Sequence, residues 1–253
     1  MYAEERQQRI LDEAREAGRV EVAALAELLD VTPETVRRDL TVLERHGVLR
    51  RVHGGAIPLE KLGFEPRLDV RQERYTAEKE RIAKRAVEQL PEEGTILLDA
   101  GSTTQALVEL LPAGREFTVV TNSLPIASLV ARSEHLHLYL LGGRLRGRTQ
   151  AAVGDWAVDA LQSISVDVAF VGTNGLTVRR GLTTPDQDEA RVKRAIVQSA
   201  RRTVVLCDSS KVGTDHFAQF AALDAVDTVI TDAGLDDETA QEIEHAGPRV
   251  VRA

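Results

Sequence analysis

Asp30-Val31-Thr32-Pro33-Glu34-Thr35-Val36-Arg37-Arg38-Asp39-Leu40 reads as a tight turn feeding a capped helix that carries two adjacent arginines. Thr32 is of the N-cap type, Pro33 fits the first helical position where its missing N–H costs no intrahelical bond, and Glu34 sets negative charge near the positive end of the helix. Val36, Leu40 and Leu43 recur on one apolar face. Arg37 and Arg38 then point away from it, suited to phosphate oxygens or to the O6/N7 edge of guanine in a major groove. A surface helix with solvated arginines has the same local pattern, so the flanks decide.

Upstream, Ile10, Leu11 and Ala14 mark an amphipathic helix closed by Gly18, and Val22, Leu25, Ala26 and Leu29 mark a second, shorter one. Downstream, Gly47 stops the arginine-bearing helix, and the alternation from Val48 to Ala56 around Gly54-Gly55 predicts a two-stranded wing. The order helix, helix, turn, helix, wing is a known way of docking onto double-stranded DNA. It predicts DNA contacts from Thr32, Glu34, Thr35, Arg37, Arg38, Arg50, Arg51 and His53.

At 253 residues the chain is long enough for two domains. Its formal charge of −8 argues against a nucleic-acid partner only on average, because the segment from Arg37 to Ile57 holds five arginines against Asp39 and Glu44. Aromatic residues make up 4%, too few for stacking along single-stranded bases, which favours duplex DNA. Cys207 is the single cysteine, so an intrachain disulfide and a cysteine-based zinc cluster are excluded and a reducing, cytoplasmic setting fits. The charged first twenty residues do not resemble a signal sequence, and no apolar run is long enough to span a bilayer, so a soluble intracellular protein is expected.

The predicted division is a winged helix-turn-helix over 1–57, a charged, proline-containing linker over 58–76, and an effector domain over 77–253. In the last, a helix over Ala77–Leu90 is followed by apolar strands at Thr95–Asp99, Thr118–Thr121, Leu136–Leu141, Asp167–Gly172, Thr203–Cys207 and Thr228–Thr231. Helical stretches separate them at Thr104–Leu111, Ser123–Arg132, Trp156–Gln162, Asp188–Arg201 and Asp236–Ala246. This alternation predicts an α/β fold with a mainly parallel sheet covered on both faces, whose ligands bind at the carboxyl ends of the strands. Those ends carry Asp99-Ala100-Gly101-Ser102-Thr103-Thr104, Thr121-Asn122-Ser123, Gly143-Arg144-Leu145-Arg146, Gly172-Thr173-Asn174-Gly175 and Asp208-Ser209-Ser210-Lys211. A glycine and three hydroxyl residues at a helix start suit a phosphate; Arg144, Arg146 or Lys211 would neutralise it, while Asp99, Asn122 and Asn174 read hydroxyls. The predicted ligand is a small phosphorylated sugar or polyol. A well-capped helix and solvated arginines are the plainer reading of each motif alone.

Both blocks together resemble the DeoR family of bacterial transcriptional regulators. The resemblance rests on Gln8-Arg9-Ile10-Leu11, Val31–Leu40 and Leu49–Ala56, and on Asp99–Thr104, Val120–Ser123, Leu141-Gly142-Gly143, Gly181–Thr184 and Asp208–Gly213. It implies a winged helix-turn-helix joined to a sensor domain like ribose-5-phosphate isomerase and the coenzyme A transferases, repression of sugar-catabolic operons, and release from DNA by a phosphorylated sugar. Through Met1–Arg6, Lys61–Pro66 and Asn122–Ala127 the chain is similar to actinobacterial fructose-operon repressors, which implies fructose 1-phosphate as effector. Ser102 stands where the family commonly has threonine, and Asn174 where it commonly has aspartate; losing that carboxylate removes a proton-transfer base.

Other readings are weaker. An enzyme using Asp99, Glu189 and Lys211 leaves the DNA module unexplained, and an architectural DNA binder leaves the strand ends unexplained. His135 and His137 share a face of a predicted strand but lack further ligands, so no metal is expected, and no cofactor. His216 reads either as bordering the pocket or, more simply, as only a polar loop residue, and Cys207 as a small buried one. Groove-reading modules act in pairs, so a homodimer or homotetramer is expected.

Overall fold

A computed structural model describes residues 2–17, 19–52, 54–58 and 67–253. The chain divides into two compact units, 1–70 and 71–253. Met1, Gly18, His53 and the stretch 59–66, which includes all of Lys61–Pro66 and part of the expected linker, lie outside the described residues.

The first unit holds α1 (Ala3–Ala17), β1 (Val20–Glu21), α2 (Val22–Leu28), α3 (Pro33–Arg45), β2 (Leu49–Val52) and β3 (Gly55–Pro58). Thr32 caps α3, its hydroxyl accepting from Thr35 N at 3.2 Å, with Pro33 in the first turn. The helix ends where Gly47 takes a φ of 66°: Val48 N donates to Leu43 O at 3.0 Å and Gly47 N to Glu44 O at 2.9 Å, satisfying carbonyls the last turn leaves open. Val36, Leu40 and Leu43 are buried against Ile10, Leu11, Leu25 and Leu49, each contributing about 1.5–3 kcal/mol by leaving water. The wing has a third strand that alternation did not reveal, because β1 is two residues long and pairs with β3 through Val20↔Ala56 and Glu21↔Gly55. A Cβ on Gly55 would fall 1.9 Å from Val20 O, so this pairing requires glycine there.

The second charged feature of α3 is Asp39, which is buried and meets Arg6 Nε at 2.5 Å, Arg6 Nη2 at 3.2 Å and Gln7 Nε2 at 3.1 Å. α1 and α3 are thus held by a charge pair as well as by apolar packing.

In chain order the rest comprises α4 (Leu68–Glu73), α5 (Thr76–Val87), β4 (Gly94–Leu98), α6 (Ser102–Val108), β5 (Phe117–Thr121), α7 (Leu124–Val130), β6 (Leu136–Leu140), β7 (Arg144–Arg146), β8 (Ala151–Val153) and α8 (Asp155–Gln162). There follow β9 (Val166–Gly172), β10 (Gly175–Thr177), β11 (Gly181–Thr184), α9 (Gln187–Ser199), β12 (Ala200–Leu206), β13 (Ala218–Ala221), β14 (Thr228–Thr231), α10 (Asp237–His245) and β15 (Arg249–Arg252). Among the described residues seven strands form a parallel sheet in the order β15-β14-β12-β9-β4-β5-β6. The alternation of β4 explains its two faces: Ile96 and Leu98 join the core under α5, α6 and α7, while Leu97 joins the core under α8, α9 and α10. Val168 and Phe170 against Ala169 and Val171 repeat the division in β9.

The strands expected from the apolar runs are present with ends shifted by up to three residues, and β15 adds an edge strand too short and polar to stand out. Hairpin β7–β8 and the sheet β10-β11-β13 are additions outside the main sheet. His135 precedes β6 rather than sharing a strand face with His137, and no group of three or more potential metal ligands occurs among the described residues.

Replacing Arg6 with alanine leaves Asp39 buried with only Gln7. The expected loss is about 3 kcal/mol of stability in the first unit. Hydrogen exchange of the Val36–Leu43 amides measures it; a change below about 1 kcal/mol would mean that water replaces the guanidinium without penalty.

Candidate functional site

From β4 the chain runs to β5 and β6 on one side, then returns to β9 and proceeds outward through β12, β14 and β15 on the other. The direction therefore reverses between β4 and β9, and the crevice outside their carboxyl ends is where sheets of this kind bind ligands. Asp99 ends β4 at that point. It is buried; its Oδ2 accepts from Gly172 N at 3.1 Å, at the end of β9, and from the ammonium of Lys193, which also donates to Gly172 O at 2.9 Å. Lys193 comes from the middle of α9, and its ammonium lies 5.4 Å from the centre of the Phe220 ring. Asp99 Oδ1 is shut from solvent and has no hydrogen-bond partner.

Sequence reasoning missed Lys193, although a signal existed. It falls on the stripe Ala190, Lys193, Ile196, so a lysine occupies a position where the helix is otherwise apolar.

The neighbouring strand ends sort into structural and available groups. Gly101 precedes α6, which starts two residues earlier than expected, at Ser102. Thr104 donates its hydroxyl to the carbonyls of Asp99 and Gly101, at 2.7 and 2.9 Å. Ser102 and Thr103 are buried in the same turn, and no described residue hydrogen-bonds to their hydroxyls. At the end of β5, Thr121 donates to Leu98 O at 2.6 Å, Ser123 caps α7, and Asn122 Oδ1 accepts from Ala100 N at 3.0 Å, which ties the β5 end to the turn after β4. Thr104, Thr121 and Ser123 therefore spend their hydroxyls on the backbone.

Arg144 and Arg146 stand apart from this cluster. Hairpin β7–β8 directs Arg144 to Asp188 at 2.6 Å, and Arg146 to Glu189 at 2.5 Å and Asp186 at 3.3 Å, all in or beside the first turn of α9. Their guanidinium groups are matched by carboxylates the sequence did not pair with them. Gly143, with a φ of 143°, serves the hairpin: a Cβ would lie 2.6 Å from Val153 O. Glu189, a candidate acid or base in the enzyme reading, is buried between Arg146, Thr149 and Thr184. Asn174 follows β9; its N donates to Thr183 O at 3.2 Å, and its carbonyl lies 3.2 Å from His216 Nε2.

Lys211 is the third cation expected to neutralise a phosphate at the Gly101–Thr104 turn. It follows β12, two strands from β4, hence about 10 Å away across the sheet. Its charged neighbour is Lys79 of α5, a second buried lysine the sequence reading passed over. Burial pushes the Lys79 ammonium down to about 8, Asp208 opposes the shift, and Arg71, Lys211 and Arg74 add to it. Beside them Asp232 is kept below the usual carboxylate range: burial works against its charge, but Ser209 N, Gly234 N and Ser209 Oγ outweigh it with hydrogen bonds at 2.6, 2.8 and 3.0 Å. Burial, reinforced by Asp208, pushes the Cys207 thiol up, which suits an inert core residue.

In the first unit, Arg37 and Arg38 are exposed on α3, and Arg50 and Arg51 on β2. Glu34 holds Arg37 at 3.2 Å, and Arg51 Nη1 reaches Thr41 Oγ1 at 3.3 Å. Thr35 is engaged with the Thr32 cap. No described residue forms an ion pair with Arg38 or Arg50.

A winged helix-turn-helix ahead of a parallel α/β unit with polar strand ends at its switch point defines a DNA-binding regulator with a ligand-sensing domain. A family model described as the DeoR C terminal sensor domain matches residues 74–233, and one described as a DeoR-like helix-turn-helix domain matches residues 6–61. The chain belongs to the DeoR family of transcriptional regulators. It is 39% identical to the HTH-type transcriptional regulator GlpR of Haloferax volcanii, over 99% of this chain and 98% of that one. It is 36% identical to the uncharacterized HTH-type transcriptional regulator FruR of Bacillus subtilis and 32% identical to the glycerol-3-phosphate regulon repressor of Escherichia coli, in both cases over 92% of each chain. Among solved structures, a ribose 5-phosphate isomerase A from Methanocaldococcus jannaschii is similar at a TM-score of 0.39 and 20% identity, over 53% of each chain. The relatives are named regulators and repressors, and this chain is a regulator, not an enzyme. No helix among the described residues is long and apolar enough to cross a membrane.

Lys193→Met should destabilise the second unit by about 3–5 kcal/mol, since it abandons a buried carboxylate. Asp99→Asn combined with Lys193→Met should recover part of that loss. Guanidinium unfolding followed by circular dichroism tests the cycle; additive effects would mean that the two charges do not interact.

Proposed function

We propose that the protein represses a sugar-catabolic or phosphotransferase operon, fructose being the leading candidate, and leaves its operator when a phosphorylated ketose such as fructose 1-phosphate occupies the crevice at the β4–β9 switch point. The observation that carries this reading is the grouping there of Asp99, the unspent hydroxyls of Ser102 and Thr103, Asn122 and Asn174, with the cations Lys79 and Lys211 farther along the same rim. Carboxylate and amide groups suit sugar hydroxyls, and ammonium groups suit a phosphate. The name FruR of one relative supports a fructose operon, and the glycerol-3-phosphate regulon repressor favours a second ligand of the same class, a phosphorylated polyol.

On the DNA side, α3 would enter the major groove with Arg38 and Arg37 toward base edges, the Thr32, Glu34 and Thr35 turn beside them, and Arg50 and Arg51 of the wing on phosphates. Two such modules on two half-sites call for a homodimer or homotetramer. Effector binding empties the operator only if the ligand prefers the conformation with low DNA affinity, and a full shift takes about 5.5 kcal/mol of differential binding. A site that grips both phosphate and sugar supplies this; free fructose does not.

Arg38→Ala should cost about 1–3 kcal/mol of operator affinity, and Arg50→Ala should lower the salt slope by about one. Fluorescence anisotropy on operator and random duplex at several salt concentrations checks both; unchanged binding by the two variants would move the DNA-reading surface elsewhere. In the same assay fructose 1-phosphate should release operator without being converted, as followed by NMR, ahead of fructose 1,6-bisphosphate and glycerol 3-phosphate. Release by an unrelated ligand alone would defeat the ketose reading, and glycerol 3-phosphate acting first would replace it with the polyol.

A further inference from the structure

The main sheet has two edge strands, and they differ. β15 carries Arg249 and Arg252, both exposed, and such charges keep a strand edge from pairing with another chain. β6, Leu136-His137-Leu138-Tyr139-Leu140, has no lysine, arginine, carboxylate or proline and runs beside β5 without a bulge. Leu141 N donates to Thr121 O at 2.8 Å, so by the alternation of a parallel ladder the N–H and C=O groups of His137 and Tyr139 also turn toward β5. Those of Leu138 and Leu140 turn outward, and no described residue bonds them. Around this open edge Tyr139, Leu140, Leu145 and Leu124 are 65, 50, 47 and 43% exposed. Leu145 lies on the hairpin that follows β6, and Leu124 N donates to Gln150 O, in the turn of that hairpin, at 3.1 Å. The four side chains supply roughly half of the ~800 Å² that each partner of a standard interface buries.

We propose that β6 is the docking surface for a second copy of this chain, the two β6 strands pairing antiparallel across a two-fold axis at Leu138. This rests on the homo-oligomer expected of groove-reading modules and names the surface within it. Such an axis sets Leu138 opposite its own copy and Leu136 opposite Leu140, so the outward amides and carbonyls of each strand meet those of the other. Leu140 is then covered by an apolar side chain on the face under α7 that Leu136 and Leu138 share. On the opposite face His137 falls beside Tyr139, at the pair positions where side chains approach most closely. Apolar meets apolar and ring meets ring, the self-complementarity an isologous contact demands. Antiparallel pairing also brings Glu134, exposed ahead of β6, to the far end of the other strand, toward Arg144 of the other copy, so the ends are complementary in charge.

Analytical ultracentrifugation and hydrogen exchange on the full-length protein test this. Leu140→Lys should weaken self-association about tenfold or more, since it buries an unpartnered ammonium, and reduce a dimer to monomers or a tetramer to dimers. Trp156→Lys, at a side chain 79% exposed on α8, should leave the association unchanged. In concentrated wild-type protein the Leu138 and Leu140 amides should exchange about tenfold more slowly than on dilution to monomer. Leu138→Cys should link covalently to its own copy under mild oxidation, because opposed residues of an antiparallel pair lie within disulfide span. An assembly that Leu140→Lys leaves intact, or that Trp156→Lys alone disrupts, overturns this surface and leaves the homo-oligomer reading standing. So does exchange at Leu138 and Leu140 that is indifferent to concentration. Association that grows without stopping at a closed number of copies overturns it as well, and a wild type that stays monomeric overturns both.

Discussion

The charge pair between Asp99 and Lys193 fixes the place where the sheet changes direction. One carboxylate oxygen receives the ammonium from α9 and the amide of Gly172, so a single side chain joins the end of β4, the end of β9 and the helix that covers one face. Neither partner is tolerable there alone, since an unpaired buried ion costs several kcal/mol. Apolar packing would hold the same elements together without fixing their register at the rim. The other oxygen of Asp99 is left without a donor.

Much of the architecture was legible in the sequence because the physics behind it is local. Thr32, Pro33 and Gly47 each satisfy or remove a backbone group within a few residues, so the bounds of the arginine helix follow from capping chemistry. Apolar runs such as Thr228–Thr231 mark strands buried on both faces. The strand-end loops followed once a parallel sheet was accepted. What escaped was non-local: β1 exists only through its pairing with β3, and the carboxylates that meet Arg144 and Arg146 lie about forty residues downstream, on α9. The distance of Lys211 from the β4 turn was not legible either, because spacing along the chain does not give strand order in a sheet.

The charged residues that escaped have one thing in common. Asp39 lies among Val36, Leu40 and Leu43, Lys79 among Ile82, Ala83 and Ala86, and Lys193 among Ala190 and Ile196. Each interrupts the apolar stripe of a helix, and each is buried with a partner from another segment. A helical projection marks such positions from sequence, but it cannot supply the partner. For Asp39 the partner is a guanidinium on α1, for Lys193 a carboxylate at a strand end, and for Lys79 a pair of carbonyls. The three differ accordingly: the first two are ion pairs, and the third is an ammonium held by backbone carbonyls.

The order of strands also bears on how the chain reaches its native state. β4 is the first strand of the main sheet to be made, yet its β9 partner pairs Ile96 with Val168, 72 residues later. At ribosomal speeds of about 5–20 residues per second, β4 waits roughly 4–14 s for that neighbour, with its apolar edge covered on the β5 side only. The winged helix-turn-helix, built from contacts within some sixty residues, can close on itself long before. Synthesis thus completes the DNA-binding unit while the sheet of the second unit is still open on its β9 side.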